Sequence, residues 1–314
     1  MKHVILDCDP GHDDALALFM AMGDPDIDLM EVTTAGGNQS LEKVTKNALS
    51  LIDLVGEKVP VYSGSPTPLV KAPKWAGYIH GESGLDGVKL EPPKSEVAGT
   101  DAAAEIVRTV MGHPDKYVTL ITTAPLTNIA LAALLEPKIC SRVKEVIMML
   151  GAVHTGNVTP VAEFNAYTDP EAAKVVFERE WPITMIGLDV THQAICTRGV
   201  QEKLAAANPG LSEVVNGLMD FFRESYKDEE CFPDPPTHDP CAVAYALDPS
   251  VVKTVKCPVS VETKGEITCG MTVADLRAQA PKDCRTQVGL SLDTEKFWNM
   301  VAKDIANLKV GGKK

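Results

Sequence analysis

Val4-Ile5-Leu6-Asp7-Cys8-Asp9-Pro10-Gly11-His12-Asp13-Asp14-Ala15 spells out a strand, a turn and the start of a helix. Val4-Ile5-Leu6 is a short apolar run of the kind that forms a buried strand. Ala15-Leu16-Ala17-Leu18-Phe19-Met20 carries a wide apolar face and predicts a helix over 13–22. Pro10-Gly11 supplies the turn. Four aspartates, Asp7, Asp9, Asp13 and Asp14, fall within eight residues of this turn. At neutral pH so many carboxylates repel one another unless one is protonated or a cation sits among them. A hard, oxygen-seeking ion such as Ca²⁺ or Mg²⁺ suits such a cluster. Helix capping is the plainer use of an aspartate here, since the helix dipole favours negative charge. It accounts for two of the four at most and leaves Asp7 and Asp9 unexplained.

Working outward, strand-like and helix-like runs alternate. Strands are expected at 30–35, 116–122, 143–149 and 183–188, and helices at 40–55, 126–135 and near 170–180. On the 40–55 helix, Leu41, Val44, Ala48, Leu51, Ile52 and Val55 share a face. This rhythm predicts an α/β fold, a mostly parallel sheet with helices on both faces, in one domain over residues 1–314. Ligands in such folds bind beyond the carboxyl ends of the strands. The polar clusters fall there: the aspartates, Gly36-Gly37-Asn38, Thr122-Thr123, and the segment from His154 to Asn165. The last third adds helices at 211–227, from about 239, and at 295–308. Two strand-like runs near 251–262 and 266–273 are close enough to pair antiparallel. Residues 64–99 and 228–237 carry no strong period; the aromatic and histidine content around Trp75 to Gly84 favours a lid or pocket wall.

The formal net charge is −13, which argues against a nucleic-acid backbone or an anionic membrane as partner. No signal-peptide pattern follows Met1, and no apolar stretch approaches the length of a membrane span. The eight cysteines show no metal-like spacing and read as reduced thiols of a cytoplasmic protein. Cys8, inside the aspartate loop, is the one with a conceivable redox role. Aromatics make up 5% of the chain, so the core must be mainly aliphatic.

Further residues carry possible chemistry, each with an ordinary alternative. Asp239, before Pro240, is either an N-cap or a metal ligand, and His238 stands beside it. Asn157, Glu163 and Asn165 offer donors and acceptors for a polyhydroxylated ligand, or else serve turns. The carbonyls around Thr123 are candidate hard-metal donors at a strand end, or part of a plain strand-to-helix turn. Phe221, Phe222 and Tyr226 on the 211–227 helix line either a stacking pocket or the core. No Walker loop or GxGxxG is present.

Taken together, these segments resemble the nucleoside hydrolase family, close to its inosine–uridine-preferring members. The first motif resembles the DxDPGxDDA signature. The likeness continues through Gly36-Gly37-Asn38-Gln39, Ile79-His80-Gly81-Glu82-Ser83-Gly84, Leu126-Thr127-Asn128-Ile129-Ala130, Val161-Ala162-Glu163-Phe164-Asn165, Asp169-Pro170-Glu171-Ala172-Ala173, Gly187-Leu188-Asp189-Val190-Thr191-His192 and His238-Asp239-Pro240. The resemblance implies hydrolysis of the N-glycosidic bond of ribonucleosides to ribose and free base, a salvage reaction, with one Ca²⁺. It implies Asp9, Asp14, Asp239 and the Thr123 carbonyl as metal ligands and Asp13 as general base. It assigns His238 to the leaving base, with Tyr226 in reserve. It implies substrate contacts at Asn38, His80, Met149, Asn157, Glu163, Phe164, Asn165 and Tyr226. A homodimer or homotetramer acting on small purine and pyrimidine ribonucleosides is expected. Phe222 and Glu230 depart from the Tyr and Arg of relatives, which leaves the preferred base open. Two rivals remain: a Mg²⁺-dependent haloacid-dehalogenase-type phosphatase with Asp7 as nucleophile, and a non-catalytic nucleoside- or ribose-binding protein on the same fold.

Overall fold

The computed structural model of the chain describes residues 1–310. In chain order the elements are β1 (Lys2–Cys8), α1 (His12–Gly23), β2 (Ile27–Thr34), α2 (Leu41–Leu54), β3 (Val61–Ser63), α3 (Gly77–His80), α4 (Ala102–Gly112), β4 (Val118–Thr122), α5 (Thr127–Leu135), α6 (Ile139–Arg142), β5 (Glu145–Met149), α7 (Phe164–Thr168) and α8 (Pro170–Phe177). There follow β6 (Ile183–Ile186), α9 (Leu188–Thr191), α10 (Arg198–Ala207), α11 (Ser212–Glu229), α12 (Pro240–Leu247), β7 (Val252–Lys256), β8 (Val259–Val261), β9 (Thr272–Ala274), β10 (Thr286–Leu292) and α13 (Thr294–Asn307).

Eight strands form one sheet in the order β3-β2-β1-β4-β5-β6-β10-β7. All neighbours are parallel except β10 and β7. Strands covered on both faces must be apolar along their length. Accordingly, Val4, Leu6 and Cys8 of β1 point into one half of the core and Ile5 into the other. From β1 the chain first builds toward β3. It then returns to place β4 on the other side of β1, so the strand order reverses between β1 and β4. Loops leaving these two strands diverge and open a crevice.

The expected α/β architecture is what the chain adopts, with a small antiparallel pair of β8 and β9 beside the main sheet. The run at 251–262, expected as one strand, is two. β7 pairs with β10 in the main sheet and β8 pairs with β9. The break falls at Cys257-Pro258, where proline has no N–H for a ladder. The other partner expected in that pair begins later than foreseen, at Thr272. Helices α4 and α10 and strands β3 and β10 were not foreseen. Among the described residues no helix is long and apolar enough to cross a membrane.

Candidate active site

β1 ends at the crevice, and its last carboxylate is structural. Asp7 accepts hydrogen bonds from Thr33 Oγ1 at 2.6 Å and Asn128 Nδ2 at 2.8 Å, tying β1 to β2 and α5. Burial pushes this carboxyl up to about 7, against the lowering effect of the two hydrogen bonds. Asp7 is fully buried and does not line the crevice, so the phosphatase reading loses its nucleophile. Cys8 is equally buried; burial first, and the surrounding carboxylates second, hold its thiol well above the ordinary range, which removes the redox role.

The other three aspartates converge on the crevice floor. Asp9 Oδ2 accepts the Asn38 backbone N–H at 2.6 Å, while Asp9 Oδ1 is buried with no partner. Gly37 permits this approach, because a Cβ there would lie 2.0 Å from Asp9 Oδ2. Asp14 takes Thr123 Oγ1 at 2.7 Å on one oxygen; on the other it takes Gly11 N–H at 3.0 Å and Asn38 Nδ2 at 3.1 Å. Asp13 Oδ2 accepts the His238 backbone N–H at 3.0 Å. Asp239 begins α12 with Pro240 after it, as an N-cap would, but its side chain makes no capping hydrogen bond. It turns to the cluster instead: oxygens of Asp13, Asp14 and Asp239, all buried, lie within 4.8 Å of one another.

Burial raises all four of these carboxyls; neighbouring carboxylates add to it at Asp9, Asp14 and Asp239, so that Asp14 reaches about 6 and Asp9 and Asp239 rise well above the ordinary range, while at Asp13 hydrogen bonds from His238 and Asp239 oppose the rise. An unpartnered buried oxygen on Asp9 beside three crowded carboxylates fits a hard cation, which neutralises the repulsion and prefers oxygen donors. Thr123 lies at the same place, and its carbonyl already accepts Asn165 Nδ2 at 2.7 Å, leaving one lone pair.

Above the cluster, strand ends and short helices supply a polar wall. Glu163 caps α7 and accepts N–H groups from Asn165 at 2.8 Å, Ala166 at 3.1 Å and Gly151 at 2.8 Å. Burial lifts it to about 7 in spite of these bonds. Asn165 also donates to the Met149 carbonyl at 3.1 Å, and Asn157 Oδ1 accepts Phe164 N–H at 3.0 Å. Asn38 has its amide committed to the Asp9 carbonyl at 3.1 Å and to Asp14, so it braces the aspartates as well as lining the crevice.

The opposite wall takes Tyr226 from α11, whose buried face also carries Val215, Leu218, Met219 and Phe222 into the core at helical spacing. Tyr226 OH lies 2.7 Å from His238 Nε2, and Thr191 Oγ1 lies 2.7 Å from His238 Nδ1. Both ring nitrogens are therefore occupied, and burial lowers the imidazole to about 3 rather than leaving it near neutrality as expected from an unperturbed histidine. His80 packs against Phe222 and sits 3.1 Å from His12 Nδ1.

Of the residues singled out from sequence, Asp13, Asn38, His80, Thr123, Met149, Asn157, Glu163, Phe164, Asn165, Tyr226, His238 and Asp239 line one pocket; Asp9 and Asp14 lie beneath it. Phe221 and Phe222 do not line it: Phe222 is wholly buried, and both stack on His12. Glu230, named beside Phe222 for the preferred base, does line the pocket. Sequence reasoning did not single out Ala76, Tyr78 and Ile79, which lie in the aromatic segment suspected as a wall. It also missed Thr191, whose only signal was its place beside His192 in a quoted motif.

An open parallel sheet with buried carboxylates at its switch point defines an α/β enzyme of small-molecule type. Residues 4–299 match the inosine-uridine preferring nucleoside hydrolase family, and the chain belongs to it. It is 48% identical over 303 residues to the inosine-uridine preferring nucleoside hydrolase of Leishmania major, covering 96% of each chain. It is 39% identical over 300 residues, again 96% of each, to a pyrimidine-specific ribonucleoside hydrolase of Escherichia coli. A purine-preferring ribonucleoside hydrolase from Gardnerella vaginalis superposes with a TM-score of 0.91 at 32% identity, over 97% of this chain and 98% of that one.

Proposed function

We propose that the protein hydrolyses the N-glycosidic bond of purine and pyrimidine ribonucleosides, with one Ca²⁺ held by Asp9, Asp14, Asp239 and the Thr123 carbonyl. The observation that carries this reading is the buried aspartate cluster with the orphaned Asp9 oxygen. When bound, the ion supplies positive charge that neutralises the cluster, holds sugar hydroxyls and makes water more acidic.

The chain's own groups do the rest. Asp13 takes the proton of the attacking water. Water oxygen bonds to C1′ as the bond from C1′ to the base nitrogen breaks, and that electron pair leaves with the base. Positive charge growing on the sugar is stabilised by the surrounding carboxylates. Asn157, Glu163 and Asn165 hold the ribose hydroxyls, with Asn38 bracing the aspartates, Met149 and Phe164 closing the sugar end, and His80 backing the base end. With hydrogen on Nε2, His238 donates to the Tyr226 oxygen and accepts from Thr191. The Tyr226 hydroxyl hydrogen is then free to meet the negative charge on the departing base. His238 thus works through Tyr226. Among the described residues no arginine or lysine lines the pocket, which favours nucleosides over nucleotides, whose phosphate would go unpaired.

We also infer a homodimer or homotetramer, supported by the exposed Val70, Leu135 and Ile267, and a cytoplasmic location, supported by free and mostly buried cysteines. Light scattering during gel filtration tests the first.

The decisive experiment assays reducing-sugar release from a nucleoside panel, with metal-free protein and after adding Ca²⁺. Turnover of ribonucleosides restored by Ca²⁺ is expected. In the same samples, Ca²⁺ at about a thousand times its Kd should add about 4 kcal/mol of stability, read as a higher Tm. Turnover unaffected by chelation and re-addition overturns the metal assignment.

A further inference from the structure

Glu230 stands out among the carboxylates of the pocket. Asp13 accepts the His238 N–H, Glu163 accepts three backbone N–H groups, and Asp239 belongs to the cluster. The Glu230 side chain has no hydrogen-bond or ion-pair partner among the described residues, and burial alone lifts its carboxyl to about 7. It lines the pocket beside Tyr78 and Tyr226 and is half-buried. A half-buried acceptor with no protein donor is left to water, and a ligand that supplies a donor from within the pocket takes that water's place.

Its position fixes what that ligand offers. Asp13 is bonded to the His238 backbone, and the His238 ring to Tyr226. Glu230 follows Tyr226 by four residues at the end of α11, on the same helix face and about 6 Å further along the axis. The row Asp13, His238, Tyr226, Glu230 therefore runs from the water-attack end outward. With ribose at the aspartates, Glu230 meets the part of the base farthest from the glycosidic bond. An ionised carboxylate is acceptor-only and is matched best by two adjacent N–H donors. Guanine presents that pair, its ring N1–H and its 2-amino group, on the ring distal to the sugar. Hypoxanthine presents N1–H alone. Adenine presents a ring acceptor at the same place, and the imide of uracil lies on the ring that carries the sugar.

Resting on the hydrolase reading, we propose that Glu230 is the base-reading residue and that its carboxylate accepts the N1–H and 2-amino donors of guanine, favouring guanosine, then inosine, over adenosine.

The test uses the Ca²⁺-loaded protein and reads the ratio of kcat/KM for guanosine to that for N1-methylguanosine, in which any general loss of activity cancels. The natural chain should show a ratio of roughly ten to a hundred, the usual worth of a hydrogen bond to a charged group. E230A should bring it to within about threefold of unity. E230Q, which keeps the size but turns one oxygen into a donor, should do the same; it guards against misfolding of E230A. A ratio near one in the natural chain, or a ratio unchanged in both variants, overturns the assignment while ribonucleoside turnover stands. Failure of the natural chain to hydrolyse any riboside, p-nitrophenyl riboside included, overturns the hydrolase reading and this inference with it.

Discussion

Glu163 and Glu230 line the same pocket, and burial pushes both carboxyls to about 7, but they are held in opposite ways. Glu163 is anchored by three backbone N–H groups at the start of α7. Glu230 meets no donor among the described residues and hangs from the end of α11, just before Cys231, whose φ of 59° bends the chain away. On the proposed reading, the sugar end of the pocket is made of strand ends and helix starts whose backbone aims each side chain. The base end is made of side chains on a helix end and a loop, which substitution alters without moving the sheet. A chemistry common to all ribonucleosides suits the first construction, and selection among bases suits the second.

The contrast can be broken at the sugar end first. Asp13→Asn should lower kcat by about 10²–10⁴ with little change in ground-state binding, because a positioned base is lost. Single-turnover assays check this; near-natural kcat would remove Asp13 from the role of base. Next, 2′-deoxyinosine should fall below inosine in kcat/KM by roughly 10–100-fold, since it leaves polar groups about Glu163 and Asn165 unpaired at about 1–3 kcal/mol each. Comparable values would mean that the polar wall does not hold the 2′-hydroxyl.

At the base end a smaller, selective effect is expected. His238→Ala should reduce inosine turnover about tenfold more than turnover of p-nitrophenyl riboside, whose leaving group needs no help. Equal losses would place His238 in sugar binding or structure.

The smallest effects lie in stability and separate the two glutamates at low pH. Both have folded values raised from 4.5 to about 7, so across that window the folded chain keeps protons that the unfolded chain releases. Stability from this source is present at low pH and lost as pH rises through about 7. Glu230→Gln removes one such group, so it should raise Tm at pH 8 and leave it nearly unchanged at pH 4.5. Glu163→Gln removes the same linkage but turns one oxygen into a donor facing backbone N–H groups, so it should lower stability by about 1–3 kcal/mol at pH 4.5, where Glu230→Gln changes almost nothing. Urea unfolding at both pH values decides; an equal response at pH 4.5 would erase the distinction between the two ends.

How much of this was legible in sequence follows from the range of each interaction. The β1–turn–α1 unit is local, and its aspartates announce the site within one strand and one turn. The parallel architecture follows from the repeated alternation of apolar runs. Strand β10, by contrast, has Gly289 in its middle and a weak apolar pattern, and finds its partners β6 and β7 only through the sheet. The environment of His238 was equally hidden. Its unperturbed value near neutrality belongs to a solvated ring, whereas Thr191 and Tyr226 enclose it from 47 and 12 residues away. Asp239 looked like a cap because its position is that of one; only the direction of its side chain says otherwise.

The hydrogen bond from His238 to Asp13 joins positions 225 residues apart, and this separation has a consequence for how the molecule is made. At ribosomal rates of about 5–20 residues per second, the aspartates of the first turn wait roughly 10–45 s for the segment that completes their surroundings. During that interval β1 can pair with β2 but lacks the far wall of the crevice, and its carboxylates face water. A nascent chain that stops short of α12 therefore carries the most recognisable motif of the enzyme without a finished site, and assembly of the pocket marks the end of synthesis rather than its beginning.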